Sequence, residues 1–465
     1  MANRPYIFYE LTNSLCSECL VKVEAKIVVD AGQVFMLKRC PEHGAQRVLI
    51  STDADYYRVQ RDFLKPGQLP LKFNTPFKYG CPYDCGLCPD HEQHSCLSLI
   101  EITDQCNLSC PVCYAESSPA RAGFRSLEHV CRMLDRVVAN EGEPDVVQIS
   151  GGEPTLHPQL FEILAEARRR PIKHLMLNTN GLRIAQSEAF TARLAEQMPG
   201  FELYLQFDSL RAAPYQELRG RELLEIKLRA LERLNQYGIN TTLVTTIKRG
   251  TNEDELGELT RFALAQRCVR GITFQPVQHA GRTDGFDPES DRMTLGEVRS
   301  RLLAQQDIFA AEDVIPVPCH PDCLAMAYAL KVDGAVVPLS RAIDKQVLLD
   351  AEHSTIVYEK SPEIRARVFE LFSTSHSPSS SAGALRQLLC CLPNVDAPAA
   401  LHYENVFRVL ILQFLDAHNF DVRSVKRSCI HIVHPEDGRL IPFDTYNMFY
   451  RDQKERTVLT QLRRA

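Results

Sequence analysis

Seventeen cysteines in a chain of 465 residues fall into clusters rather than being scattered. Cys106-Asn-Leu-Ser-Cys110-Pro-Val-Cys113 puts three thiols on one short loop. Three thiolates at that spacing can ligate three irons of a [4Fe–4S] cube. The fourth iron is then open, which a catalytic metal needs and a structural one lacks. A zinc knuckle completed from elsewhere is the plainer alternative. Upstream, Cys81, Cys85 and Cys88 repeat the CxxxCxxC spacing, and Cys96 adds a fourth thiol. That set would saturate a cube serving as an electron relay or substrate-site cluster, or would make a four-cysteine zinc site. Cys16-Ser-Glu-Cys19 and Cys40-Pro-Glu-His43 bracket a hairpin and make a three-cysteine, one-histidine cage for zinc or a single iron. Cys319, Cys323 and Cys429 read as a third cluster, with Cys390 or Cys391 as a further ligand, while Cys131 and Cys268 read as packing residues.

The elements that position these loops follow a rhythm. Apolar runs at Leu97–Thr103, Asp145–Ser150, His174–Asn178, Leu203–Phe207, Thr241–Ile247 and Gly271–Phe274 read as buried strands. Helical patterns alternate with them: Ser126–Asn140 with Ser126 as N-cap, Pro158–Arg170, Ser187–Gln197, Glu222–Tyr237 and Glu253–Gln266. Such alternation builds βαβ units on a parallel sheet, here an α/β fold with an incomplete (βα)6 barrel. The reactive end of such a barrel is where strands pass into loops. Asn180 and Asp208, just after the third and fourth strands, are therefore expected to face the site. A Ser/Pro-rich connection spans 372–383, helices are expected at 384–392 and 401–417, and short strands around Ile430–Val433 and Leu440–Phe443. The expected organisation is a metal-binding domain over 1–70, an auxiliary-cluster segment over 71–97, the barrel over 98–305 and a cluster-binding α+β extension over 306–465.

The formal net charge of −6 argues against a nucleic-acid binder working by bulk electrostatics, and so against a non-catalytic metal module for nucleic acid. No apolar run is long enough to span a bilayer and no signal segment opens the chain, so the expectation is a cytoplasmic protein whose cysteines bind metal.

Cys106-x-x-x-Cys110-x-x-Cys113 followed by Tyr114 resembles the signature of the radical S-adenosylmethionine superfamily. Gly151-Gly152-Glu153-Pro154, one strand later, is similar to the stretch with which that superfamily holds the amino group of S-adenosylmethionine. The resemblance implies one-electron cleavage of that cofactor, a 5′-deoxyadenosyl radical, and hydrogen abstraction from an unactivated carbon. Across nearly the whole chain, the N-terminal hairpin, the doubled CxxxCxxC and the segment from Cys429 to Asn447 resemble a narrower subfamily. It includes archaeal tetraether lipid synthase, and some members are named as dihydro-hydroxymethylpterin methyltransferases. This implies one or two auxiliary [4Fe–4S] clusters, one mononuclear iron or zinc, and coupling of lipid alkyl chains, with radical methylation of a pterin as the alternative. A small-molecule or lipid substrate, a ferredoxin or flavodoxin as electron donor, and peripheral membrane contact without a transmembrane helix complete the expectation. Asp444 stands where the archaeal pattern carries a cysteine.

Overall fold

A computed structural model describes residues 5–332, 335–340, 349, 405–451 and 459–462. The connection at 372–383, the helix expected at 384–392, and Cys390 and Cys391 lie outside the described residues.

The chain opens as an antiparallel meander of β1 (Ile7–Leu15), β2 (Lys22–Asp30), β3 (Gln33–Cys40) and β4 (Gly44–Ser51). Along β2, Val23, Ala25 and Ile27 are buried while Lys22, Glu24 and Lys26 face out, the two-residue alternation of a one-sided sheet. The β1–β2 and β3–β4 connections carry Cys16, Cys19, Cys40 and His43, so the meander brings both ligand pairs to one end. Helix α1 (Ala54–Asp62) follows, capped by the Asp53 carboxylate on the Asp55 and Tyr56 amides.

The main sheet begins with β5 (Leu97–Glu101). In chain order come β6 (Val112–Cys113), α2 (Leu127–Glu141), β7 (Val146–Ser150), α3 (Leu160–Arg168), β8 (His174–Thr179), α4 (Leu182–Gln186), α5 (Glu188–Ala195) and β9 (Phe201–Gln206). Then follow α6 (Ala212–Arg219), α7 (Leu224–Tyr237), β10 (Thr241–Ile247), α8 (Leu256–Ala265), β11 (Val269–Pro276), β12 (Arg282–Thr283) and α9 (Leu295–Gln305). The remainder is β13 (Ile315–Pro316), β14 (Leu324–Val332), β15 (Ala335–Pro338), β16 (Val406–Leu412), α10 (Val422–Lys426), β17 (Ile430–Val433) and β18 (Leu440–Pro442). Ser126 caps α2 by accepting from the His129 amide, as expected.

Strands β5-β7-β8-β9-β10-β11 lie side by side and all parallel, which is the expected six-stranded incomplete barrel. Both of its edges continue into the C-terminal segment. Strand β16 pairs parallel with β11, and β17 pairs parallel with β5. The stretch beyond residue 305 therefore joins the barrel sheet rather than standing beside it.

One expectation is corrected here. Residues 401–417 were expected to be helical, yet Val406–Leu412 is strand β16. Its Val-Phe-Arg-Val-Leu-Ile-Leu run buries Phe407, Val409 and Ile411 at two-residue spacing, and β11 and β14 hydrogen-bond it on both sides. Two ladders and a β-branched, alternately buried face outweigh the helical reading of an apolar run.

Strand β16 also delivers Arg408 to a carboxylate inside the sheet. Glu202 on β9 is fully buried and pairs with Arg408 Nη2 at 3.1 and 3.2 Å and with His174 Nε2 at 3.0 Å. Gly271 makes room for this strand, because a Cβ there would come within 2.8 Å of the Arg408 carbonyl oxygen. Burial pushes the Glu202 carboxyl up, but Arg408 and His174 outweigh it and hold the group well below the usual carboxylate range. A depressed folded pKa gives stability that is present above the unfolded value of roughly 4.3 and is lost as pH falls through the folded value. Arg408→Met leaves the charge without its main partner and is expected to cost about 3–5 kcal/mol at neutral pH. That deficit should shrink as acid protonates Glu202, which paired denaturant titrations at neutral and acidic pH would measure.

Candidate active site

The three thiols of the central loop sit at the C-terminal end of β5, where the barrel places reactive groups. Cys106, Cys110 and Cys113 line one cavity together with Gly151, Gly152, Glu153 and Asn180. It holds about 1320 Å³ of empty space, its open mouth included. The loop is fastened from the far side of the barrel. Strand β12 pairs with β6, with Arg282 opposite Cys113, and the Arg282 guanidinium donates to the carbonyls of Cys110 and Ser117. Burial pushes the Cys106 thiol up to about 12 and raises Cys110 as well, so metal loading must displace thiol protons.

Gly151-Gly152-Glu153-Pro154 leaves β7 against the same loop. The Gly152 amide donates to Thr103 O at 2.8 Å and the Glu153 amide to Gln105 O at 2.9 Å. Gly151 has a φ of +136°, and a Cβ at either glycine would collide with the backbone of 103–105. These glycines thus serve first to let the two loops zip together. Pro154 starts a 3-10 turn over Pro154–Leu156 that Glu153 caps. The Glu153 side chain is buried. Oε1 accepts from the Thr155 amide and hydroxyl and the Thr179 hydroxyl, and Oε2 accepts from the Asn180 amide at 2.8 Å. Burial raises the Glu153 pKa despite those bonds, and Oε2, with one hydrogen-bond partner, keeps acceptor capacity.

Asn180 lines the cavity and donates from Nδ2 to Asn107 Oδ1 at 2.7 Å, tying β8 to the cysteine loop. Asp208 behaves differently from the expectation. Its carboxylate is fully buried and engaged by Arg219 Nε at 2.7 Å and Nη2 at 2.6 Å, and the cavity wall is formed by Arg219 instead. A buried carboxylate beside a guanidinium is neutralised before it can reach solvent. Tyr114 lines the cavity and sets its ring edge-on to Phe443 at 4.9 Å, while Phe443 stacks on Phe414 at 3.8 Å. Sequence reasoning missed Arg219, Phe414 and Phe443, and also Lys227. That buried ammonium donates to Asn180 O and Gln206 Oε1, and burial lowers its pKa to about 8. Arg219 and Lys227 sit on helical positions that read as surface, and no signal in the sequence marks them as interior.

The other thiols divide in an unexpected way. Cys16, Cys19, Cys40 and His43 bring their ligand atoms within 4.8 Å of one another, as the hairpin pattern predicts. Cys19 and Cys40 sulfurs are 3.7 Å apart, and His43 Nδ1 lies 3.6 Å from Cys16 Sγ and 3.5 Å from Cys40 Sγ. Tetrahedral bonds of about 2.3 Å put sulfurs about 3.8 Å apart, so this cage suits one ion. The Cys40 thiol is lowered to about 6, first by the His43 amide, which favours a thiolate.

Cys96 was expected to complete the set of Cys81, Cys85 and Cys88. It lies instead with Cys319 and Cys429, all three buried and mutually within 4.8 Å, with Cys319 and Cys429 sulfurs 3.6 Å apart. The cause is strand register. Ile430 of β17 pairs with Leu97 of β5, and the Leu97 amide donates to Cys429 O, which sets Cys429 beside Cys96. Cys323 lies in the same apolar core but outside that group, 3.6 Å from Ser424 Oγ. Asp444 is buried nearby, bonded to Ser428, and burial pushes its carboxyl up to about 7. Cys81, Cys85 and Cys88 form a three-thiol loop of their own, in which Cys85 Sγ accepts from Thr445 Oγ1 at 2.9 Å. Among the described residues, neither CxxxCxxC loop closes to single-ion spacing, whereas the other two groups do.

Comparison with known proteins agrees with this geometry. Residues 100–263 match the model of the radical SAM superfamily, and residues 8–52 match that of the HMPTM N-terminal zinc ribbon domain. Over 96% of its length the chain is 33% identical to 94% of the 7,8-dihydro-6-hydroxymethylpterin dimethyltransferase of Methanocaldococcus jannaschii. The chain belongs to that family of radical S-adenosylmethionine enzymes. The GTP 3′,8-cyclase of Synechocystis sp. is 28% identical over 51% of this chain and 68% of its own. Among solved structures, Streptococcus suis SuiB bound to S-adenosylmethionine matches with a TM-score of 0.36 at 16% identity, over 45% of this chain and 46% of that one. No helix among the described residues of this radical SAM enzyme is long and apolar enough to cross a membrane.

The division of thiols can be tested by metal analysis. Cys96→Ala and Cys429→Ala are expected to lose the same metal, and the double variant no more than either single one. Cys88→Ala should lose a different complement. Iron, zinc and acid-labile sulfide per chain decide the matter, and a loss shared by Cys96→Ala and Cys88→Ala alone would reverse the assignment.

Proposed function

We propose that this enzyme abstracts hydrogen from an unactivated carbon of an alkyl chain, with coupling of lipid chains as the outcome. The residues present fit the cofactors that the family implies. Among the described residues, three thiols and no fourth sulfur line a cavity whose wall also includes Glu153, with Oε2 accepting a single bond from the protein. Cys106, Cys110 and Cys113 would hold a [4Fe–4S] cluster, and Glu153 with the backbone at Gly151 and Gly152 would take the ammonium of S-adenosylmethionine. Bound together, those groups supply one-electron cleavage of a sulfonium and the abstraction of a hydrogen atom. Tyr114, Phe414 and Phe443 exclude water from the mouth, and Asn180 holds the cysteine loop at a fixed distance from β8. Cys81, Cys85 and Cys88 would hold an auxiliary cluster, and Cys96, Cys319, Cys323 and Cys429 a further metal centre. Cys16, Cys19, Cys40 and His43 would hold one zinc or iron.

The observation that supports the substrate class is the apolar part of the cavity lining. Leu97, Leu99, Leu412, Phe414, Ile430 and Phe443 belong to it, and among the described residues the only lining carboxylate is Glu153, already bonded within the protein. Such a surface suits a chain with no polar groups to satisfy. A second reading, radical methylation of a pterin, is favoured by the uncharged amides of Gln148, Asn178, Gln206, Gln275 and Gln278 in the same cavity, and by the name of the Methanocaldococcus relative. Anaerobically reconstituted enzyme with dithionite should form 5′-deoxyadenosine, and Cys110→Ala should abolish it. With a lipid deuterated along its alkyl chains, the 5′-deoxyadenosine is expected to carry deuterium. Label arriving only from deuterated dihydro-hydroxymethylpterin would replace the first reading by the second.

A further inference from the structure

Where the loop of Cys81, Cys85 and Cys88 approaches the surface, its surroundings differ from those of every other thiol group. Cys81 lines a shallow depression whose rim carries Lys22, Lys78 and Lys426, against the single acid Asp90. Lys426 is the partner of Asp90 at 2.6 Å, whereas Lys22 and Lys78 are in no ion pair among the described residues. Both are exposed, on a chain whose formal net charge is −6. Phe77 and Tyr79 stand exposed beside them at 52% and 41%. A basic rim with exposed aromatics, set directly over a thiol loop, is complementary to a small acidic protein and steers its approach.

From this loop a packed route runs inward. Thr445 Oγ1 bonds Cys85 Sγ at 2.9 Å, Phe443 lies two residues before Thr445, and its ring meets Tyr114 at 4.9 Å. Tyr114 follows Cys113, the last thiol of the central loop. The Tyr450 hydroxyl accepts from the Cys85 amide and braces the same segment.

We propose that the rim of Lys22, Lys78 and Lys426 is the docking site of an acidic one-electron carrier protein, and that electrons enter at Cys81 and leave toward the central loop past Thr445, Phe443 and Tyr114. This rests on the reading that Cys81, Cys85 and Cys88 hold a cluster. The carrier is oxidised by one electron, the centre in this loop is reduced by one and returns to its starting state on passing it to the centre at Cys106, Cys110 and Cys113. No bond forms or breaks and no proton moves in the transfer.

The test uses the metal-loaded enzyme and a small acidic [4Fe–4S] ferredoxin as the probe. Carbodiimide cross-linking should join ferredoxin carboxylates to Lys22 or Lys78. The double charge reversal Lys22→Glu, Lys78→Glu should weaken ferredoxin binding at least tenfold at low salt, and added salt should erase most of the difference. The ratio of ferredoxin-driven to dithionite-driven 5′-deoxyadenosine formation should fall by a similar factor. Cross-links confined to another face, or unchanged affinity after charge reversal, would overturn the docking site. Iron and sulfide content unaltered by Cys81→Ala, Cys85→Ala, Cys88→Ala together would instead overturn the cluster on which it rests. The two failures are thus separately visible.

Discussion

A parallel sheet of six strands, curled only part of the way round, leaves two open edges with unpaired amides and carbonyls, and everything else in this enzyme is arranged around that constraint. Strand β16 covers the β11 edge and β17 covers the β5 edge. The remaining gap is filled by side chains, with Phe414 just beyond β16 stacked on Phe443 just beyond β18. The covering segments therefore also supply Leu412, Phe414, Ile430 and Phe443 to the cavity lining. Cavity lining and edge protection are the work of the same segments.

The charges that approach this cavity are neutralised inside the protein. Asp208 is held by Arg219, Glu101 by Arg451 at 2.7 and 3.0 Å, and Glu202 by Arg408. Each pair joins a barrel strand or its end to a helix, to the C-terminal segment or to β16. Such pairs contribute little net stability compared with apolar replacements, but removing one partner is severe. Lys227 and Glu153 stand apart from this pattern, since each is buried and bonded only to neutral groups.

Much of the barrel was legible because its strands are apolar runs of the right length, separated by amphipathic helices, and the central loop because three thiols directly after a strand have few other uses. The zinc-ribbon cage was legible for the same reason of spacing. Three features were hidden. Residues 406–412 present apolar side chains at intervals that suit either period, and only pairing on both sides makes them a strand. Cys96 stands close in sequence to Cys88, so proximity along the chain suggested one site. The register of β5 against β17, which no local pattern encodes, carries it to Cys319 and Cys429. Asp208 looked like a ligand-facing acid because its partner Arg219 lies on the following helix, where the sequence offers only an ordinary surface arginine.

The pairing of Cys96 with Cys429 has a consequence for how the molecule is made. One thiol is synthesised before the first barrel strand and the other after the last, so that group cannot assemble until Cys429 has left the ribosome. Both barrel edges wait for the same late segment. Assembly is thus ordered by topology: the N-terminal thiol cage is complete once His43 has emerged, whereas the group at Cys96 waits for Cys429. A chain halted before β16 would retain the thiols of the central loop yet lack Phe414 and Phe443, which line the same cavity.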